Sequence, residues 1–97
     1  MYISIRRYQT DPGVVKELML KINETFVPII SNAPGFVAYY GVNAGGGVLT
    51  FVSIFEDQAG TEASNRMASD WIKQHGLLLF PNPPEITAGE VMVGKTT

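Results

Sequence analysis

Cysteine is absent from the 97 residues, which removes disulfides, thiolate metal ligands and thiol nucleophiles at once. The absence fits a reducing, cytoplasmic setting. Histidine occurs once, as His75, too few for a metal cluster, so no metal is expected. Long apolar runs are also missing. The longest purely aliphatic and aromatic run is Leu77-Leu78-Leu79-Phe80, against the roughly 18 residues a membrane helix needs. Arg6, Arg7 and Asp11 stand where a signal peptide would carry an apolar stretch. Basic residues number 7 against 9 acidic, are scattered, and leave a net charge of −2. Neither a membrane nor a nucleic acid is therefore expected as a partner.

Charge of either sign is scarce. Charged residues make up 16% of the chain, against about 25% in an average globular protein. A single small domain, here residues 1–97, has much surface for its volume and needs more polar cover, not less. Burial of part of that surface against a second copy resolves the mismatch, so a homodimer is expected.

What is present is organised around a β-hairpin from Pro34 to Asp57, two strands joined by Ala44-Gly45-Gly46-Gly47. In its second strand Leu49, Phe51 and Phe55 share one face and Val48, Val52 and Ile54 the other, with Thr50 and Ser53 as the polar breaks. A strand with one wet face alternates with polar residues. Here both faces ask for cover, one from the chain's own helices and one from a partner.

Before the hairpin, Tyr2 to Tyr8 alternates as a strand, with Ile3, Ile5 and Arg7 on one face and Tyr2, Ser4, Arg6 and Tyr8 on the other. Asp11 and Pro12 then predict a helix start. Val15, Leu18, Met19, Ile22, Phe26 and Ile29 form its apolar stripe, Glu17 and Lys21 are spaced as an i,i+4 pair, and Pro28 predicts a kink. After the hairpin, Asp57 is placed to cap a helix from Gln58 to His75 or Gly76. Its apolar side is Ala59, Ala63, Met67, Ala68, Trp71 and Ile72, and Gly76 is expected as a left-handed cap. Leu77 to Phe80 is expected to pack as a further turn, and Pro81-Asn82-Pro83-Pro84 as a stiff connector. Ile86 to Val93 reads as the last strand, with Gly89 as a bulge or close approach. The order β-α-β-β-α-β predicts a ferredoxin-like α+β fold, a four-stranded antiparallel sheet with two helices on one face.

Ready-made catalytic motifs fail on spacing. Ser69, Asp70 and His75 lack a nucleophile elbow. Gly45-Gly46-Gly47 does not precede a helix and is a turn rather than a phosphate loop. Glu56 and Asp57 are adjacent, so a helix cap is their expected use.

Pro34-Gly35-Phe36 opening the hairpin, Phe55-Glu56-Asp57 closing it, and the helix that follows resemble the antibiotic biosynthesis monooxygenase group of dimeric α/β-barrel proteins. The resemblance spans nearly the whole chain. It implies two sheets packed face to face in a shared barrel, and an activity drawn from a mixed set. Some members oxidise polycyclic phenols with molecular oxygen and no cofactor, some degrade haem, and many have no assigned reaction.

Phenol oxidation would use a cavity between sheet and helices lined by Asn, Trp, Tyr and Arg. Arg7, Tyr39, Asn65 and Trp71 are the matching types here, and the chemistry needs donors or a cation to hold a phenolate. In haem-degrading relatives a histidine late in the second helix binds iron, with an upstream tryptophan and a first-strand asparagine. His75 falls near that place, one turn after Trp71, but Asn65-Arg66-Met67 stands where the tryptophan is expected, and Arg6 or Arg7 where the asparagine is. No cofactor is therefore expected, and the bland role for His75 is a helix-end cap partner. The leading expectation is a cofactor-independent monooxygenase or related enzyme acting on a small aromatic compound, with Arg7, Tyr39, Asn65, Trp71 and His75 as candidate ligand-binding residues. The alternative is a non-catalytic binding or structural domain whose cavity is filled by its own side chains. An open, partly polar pocket near Trp71 would favour the enzyme, and a packed core the alternative.

Overall fold

The computed structural model describes residues 1–76 and 79–97. Strands β1 (Tyr2–Gln9), β2 (Phe36–Gly45), β3 (Val48–Phe55) and β4 (Glu85–Glu90) form one antiparallel sheet in the order β2-β3-β1-β4. Helices α1 (Val15–Thr25), α2 (Val27–Ser31) and α3 (Gln58–His75) cover one face. This is the ferredoxin-like βαββαβ arrangement, with the expected first helix broken in two. Among the described residues no helix is long and apolar enough to cross a membrane.

The first helix begins with a short 3-10 turn, Pro12–Val14, where Asp11 Oδ1 accepts from Gly13 N–H at 2.8 Å. Pro28 cannot donate to the helical ladder, and the helix breaks at Phe26 just before it. The break places Ile30 rather than Ile29 in the core: Ile30 is fully buried and Ile29 exposed. Lys21 does not pair with Glu17. Its ammonium group reaches the His75 carbonyl at the end of α3, at 3.4 Å, where the helix dipole favours a cation.

Gly46 and Gly47 turn the hairpin with φ of +62° and +84°, angles a two-residue primed turn demands. β2 therefore runs as far as Gly45, further than the sequence indicates. At α3, Asp57 Oδ1 accepts from Gly60 N–H at 2.8 Å, as expected of its cap. The buried face of α3 differs from expectation, being Gly60, Thr61, Ser64, Ala68 and Trp71, with Ala59 exposed. The cause is close packing, because a Cβ on Gly60 would sit 2.7 Å from Phe55 Cβ. Gly76 ends α3 with φ −136°, not in the left-handed region. Leu79 and Phe80 N–H both return to the Gly76 carbonyl, at 2.9 and 3.0 Å, while Leu77 and Leu78 lie outside the described residues. β4 stops at Glu90, and Gly89 pairs regularly with Ile3, without a bulge and with nothing packed above it.

Ser4, Arg6, Tyr8, Leu49, Phe51, Ser53 and Phe55 point toward the helices and are buried. The cross-strand partners Ile3 and Ile54, and Ile5 and Val52, lie on the open face with Tyr40 and Val42, which are 60% and 46% exposed.

Gly60→Ala measures the closeness of α3 to β3. In an open helix the change stabilises by about 1 kcal/mol. Here we expect a loss of about 1–3 kcal/mol from overpacking against Phe55, read as a lower urea midpoint with unchanged slope. An unchanged or raised midpoint would contradict this packing.

Candidate functional site

Residue alternation on β1 brings an arginine into the core. Ser4 and Arg6 share the helix face of the strand and are 0% and 2% exposed. Between them and α3, Asn65 Oδ1 accepts twice, from Ser4 Oγ at 2.6 Å and from Arg6 Nη1 at 2.9 Å. Arg6 Nη2 donates to the buried Ser53 Oγ at 3.1 Å on β3. Arg6 Nε is buried with no partner among the described residues. The guanidinium thus has neutral acceptors and no carboxylate. The one ion pair among the described residues is Arg7 to Glu85, at 3.5 Å on the solvent side of the β1/β4 edge.

Two spaces meet at Arg6. An inner cavity of about 20 Å³ is lined by Arg6, Tyr8, Phe26, Tyr39, Phe51 and Trp71 among others, room for about one water. A cleft of about 350 Å³ lies between α3, β4 and the proline connector, within the range of small-molecule sites. Ile72, Phe80, Pro81, Pro83, Pro84 and Ile86 supply its apolar walls, and Arg6, Tyr8, Asn65, Ser69, Lys73 and Asn82 its polar groups. Arg6, Tyr8, Ile72 and Phe80 line both spaces.

The five residues singled out from sequence separate in space. Asn65 lines the cleft. Its Oδ1 is occupied by Ser4 and Arg6, which leaves the amide Nδ2 without a protein acceptor among the described residues and able to donate to a ligand. Trp71 lines the inner cavity, Tyr39 lines it and a further groove of about 280 Å³ with Met19 and Val27, and neither lines the cleft. The Trp71 indole N–H is already committed to Thr25 Oγ1 at 2.9 Å, so it is no spare donor. His75 lies in neither space. It stacks on Trp71 at 5.1 Å between ring centroids, with Nδ1 3.2 Å from the Trp71 carbonyl. Arg7 is on the opposite face of the sheet and its place is taken by Arg6, because strand residues alternate. Arg6 was the residue missed as a site candidate. The signal for it is the Ser4-x-Arg6-x-Tyr8 alternation of β1, which sets Arg6 and Arg7 on opposite faces.

Haem has no fit here. His75 stands outside the cleft against its own helix, and the β1 positions lining the cleft carry arginine and tyrosine in place of the expected asparagine. Among the described residues no three metal-ligating side chains cluster.

Burial raises the pKa of both Tyr8 and Tyr39 above the ordinary 10.0, and the nearby Arg6 charge offsets only part of that. Both phenols stay neutral and leave the Arg6 charge uncompensated.

Comparison with known proteins places these features on a shared scaffold. No family model and no curated protein matches the sequence. Solved structures do. A protein of unknown function from Nitrosomonas europaea superposes with a TM-score of 0.79 at 20% identity, over 99% of this chain and 93% of that one. A monooxygenase from Streptomyces coelicolor, solved with nanaomycin D, gives 0.76 at 14% identity, over 99% and 91%. A haem degrader from Mycobacterium tuberculosis, solved with two haems in its active site, gives 0.73 at 17% identity, over 99% and 100%.

The raised tyrosine pKa values predict an alkaline limit to stability. The folded chain holds both phenolic protons above pH 10.0, while the unfolded chain releases them there. Their contribution is complete below pH 10 and is lost as pH rises through the raised native values. Urea midpoints should be flat from pH 8 to about pH 10 and then fall, less steeply in Tyr39→Phe. An equal slope in wild type and variant would contradict this burial. At these identities what is shared is fold, and the chain has the ferredoxin-like fold of the antibiotic biosynthesis monooxygenase-like proteins.

Proposed function

We propose that the chain is a cofactor-independent monooxygenase that binds a small phenolic aromatic compound in the cleft beside Arg6 and Asn65. The observation that carries this reading is Arg6, a nearly fully buried cation with no carboxylate and an unpartnered Nε, on the wall of an apolar-sided cleft. Such a cation favours an anionic ligand atom, and the Asn65 amide adds a second donor. The apolar walls suit a planar ring. The inner cavity is too small for one, so the ligand belongs in the cleft rather than beside Trp71.

The chemistry follows from holding the phenolate. Loss of the phenolic proton makes the ring electron-rich enough to pass one electron to dioxygen, and Arg6 and Asn65 stabilise the oxygen on which charge sits. Recombination forms a C–O bond at a ring carbon. Loss of that carbon's hydrogen with O–O cleavage then leaves a quinone and water, so one phenol and one dioxygen give one quinone and one water. The absence of cysteine and of a membrane-length helix among the described residues fits a cytoplasmic enzyme.

Assembly belongs to the same proposal. The open sheet face carries Ile3, Ile5, Val48, Val52 and Ile54 with the exposed Tyr40 and Val42, and a second copy covers it face to face. The packed inner cavity supports a second reading, a non-catalytic binding domain. Oxygen uptake distinguishes the two: with a polycyclic phenol and no added cofactor, the enzyme consumes one dioxygen per quinone formed, and the binding domain consumes none.

Two variants test these statements. Arg6→Met removes a buried charge that lacks a counter-ion, and replacing buried ionic groups with apolar ones of similar volume is often neutral or stabilising by ~1–4 kcal/mol. We expect an unchanged or higher Tm together with at least tenfold weaker phenol binding. A variant that unfolds would make Arg6 structural and remove the main support for the proposal. Val52→Asp should yield folded monomers by sedimentation and circular dichroism, whereas Phe51→Asp, in the core, should not fold. Wild-type protein that sediments as a monomer at micromolar concentration contradicts the homodimer.

A further inference from the structure

The charge lining the cleft is of one sign. Its polar lining contains two cations, Arg6 and Lys73, and no carboxylate, in a chain whose net charge is −2. The two differ in setting. Arg6 is buried on the sheet side and held by Asn65 and Ser53. Lys73 is exposed, in the last turn of α3, and makes no ion pair among the described residues.

Their separation is set by α3. Asn65, Ser69 and Lys73 all line the cleft at successive spacings of four, so they form one stripe along the helix. At about 1.5 Å per residue, Asn65 and Lys73 stand roughly 12 Å apart along the axis. A ring system of two or three fused rings spans that stripe less the reach of the side chains. Between the charged ends the walls are Ile72, Phe80, Ile86 and three prolines, and they offer a planar ring apolar contact.

We infer that the ligand is a fused-ring hydroxy acid, with its phenolic oxygen at Arg6 and Asn65 and a carboxylate at the far end of the ring held by Lys73. The assignment rests on the phenol-binding reading above and adds the second acidic group. Lys73 is exposed, so its hold on the carboxylate is screened by salt, whereas the buried Arg6 contact is screened less.

Isothermal titration of the protein with three probes tests the assignment: 6-hydroxy-2-naphthoic acid, 2-naphthol and 2-naphthoic acid. We expect the hydroxy acid to bind at least tenfold more tightly than 2-naphthol in low salt, and the advantage to shrink as salt is raised. In Lys73→Gln, with its fold checked by circular dichroism, the two should bind within twofold of each other. Equal affinity of the hydroxy acid and 2-naphthol in wild type overturns the second acidic group and leaves the phenol site standing. An advantage that survives Lys73→Gln also overturns it. Binding of 2-naphthoic acid as tightly as the hydroxy acid, with no binding of 2-naphthol, overturns the phenol reading while retaining the carboxylate at Lys73. Failure of all three to bind overturns both.

Discussion

Desolvation of the Arg6 guanidinium is the constraint on which the rest of this structure turns. Moving a cation out of water costs several kcal/mol even after relaxation, and one carboxylate at hydrogen-bond distance is the usual remedy. This chain uses one hydroxyl and one amide oxygen instead, from Ser53 and Asn65, with Ser4 fixing the amide. Those acceptors are neutral, so the positive charge remains available to whatever enters the cleft. The neighbouring phenols of Tyr8 and Tyr39 do not neutralise it either, since burial keeps both protonated.

The surrounding fold makes room for that arrangement. Serines at 4, 53 and 64 are fully buried where larger side chains would ordinarily pack, and Gly60 lets the start of α3 lie against Phe55. Asn65 follows one turn later on the same helix, which sets its amide over β1. Away from this polar seam the interior is conventional, with Leu18, Ile30, Leu49 and Phe55 nearly inaccessible and aromatic pairs at Phe36–Phe55 and Tyr8–Phe80. A core built around a polar seam is less stable than an apolar one of the same size.

Element order and most boundaries were legible in the sequence because they are set locally. Asp57 caps α3, glycines turn the hairpin, and Pro28 breaks the first helix. The errors arose where tertiary packing decides. Ile30 replaces Ile29 in the core because of how the chain leaves the break at Phe26, and the small residues Gly60 and Ser64 are buried because of the closeness of β3. The candidate site was legible only by residue type. Tyr39 and Trp71 share the inner cavity and Asn65 lines the cleft, but choosing Arg6 over Arg7 requires knowing which face of β1 meets the helices. Sequence alone leaves the two faces of this strand unassigned, and in the structure the face with Ile3 and Ile5 is the open one.

The central claim is that the buried Arg6 charge holds a ligand oxygen in its ionised form. The most direct measurement is the near-ultraviolet spectrum of 2-naphthol bound to the protein, titrated with pH, because naphtholate absorbs at longer wavelength than naphthol. The account predicts that bound 2-naphthol ionises at lower pH than the free compound, and that Arg6→Met removes the shift. Bound 2-naphthol that ionises at the same or higher pH than in free solution would contradict it.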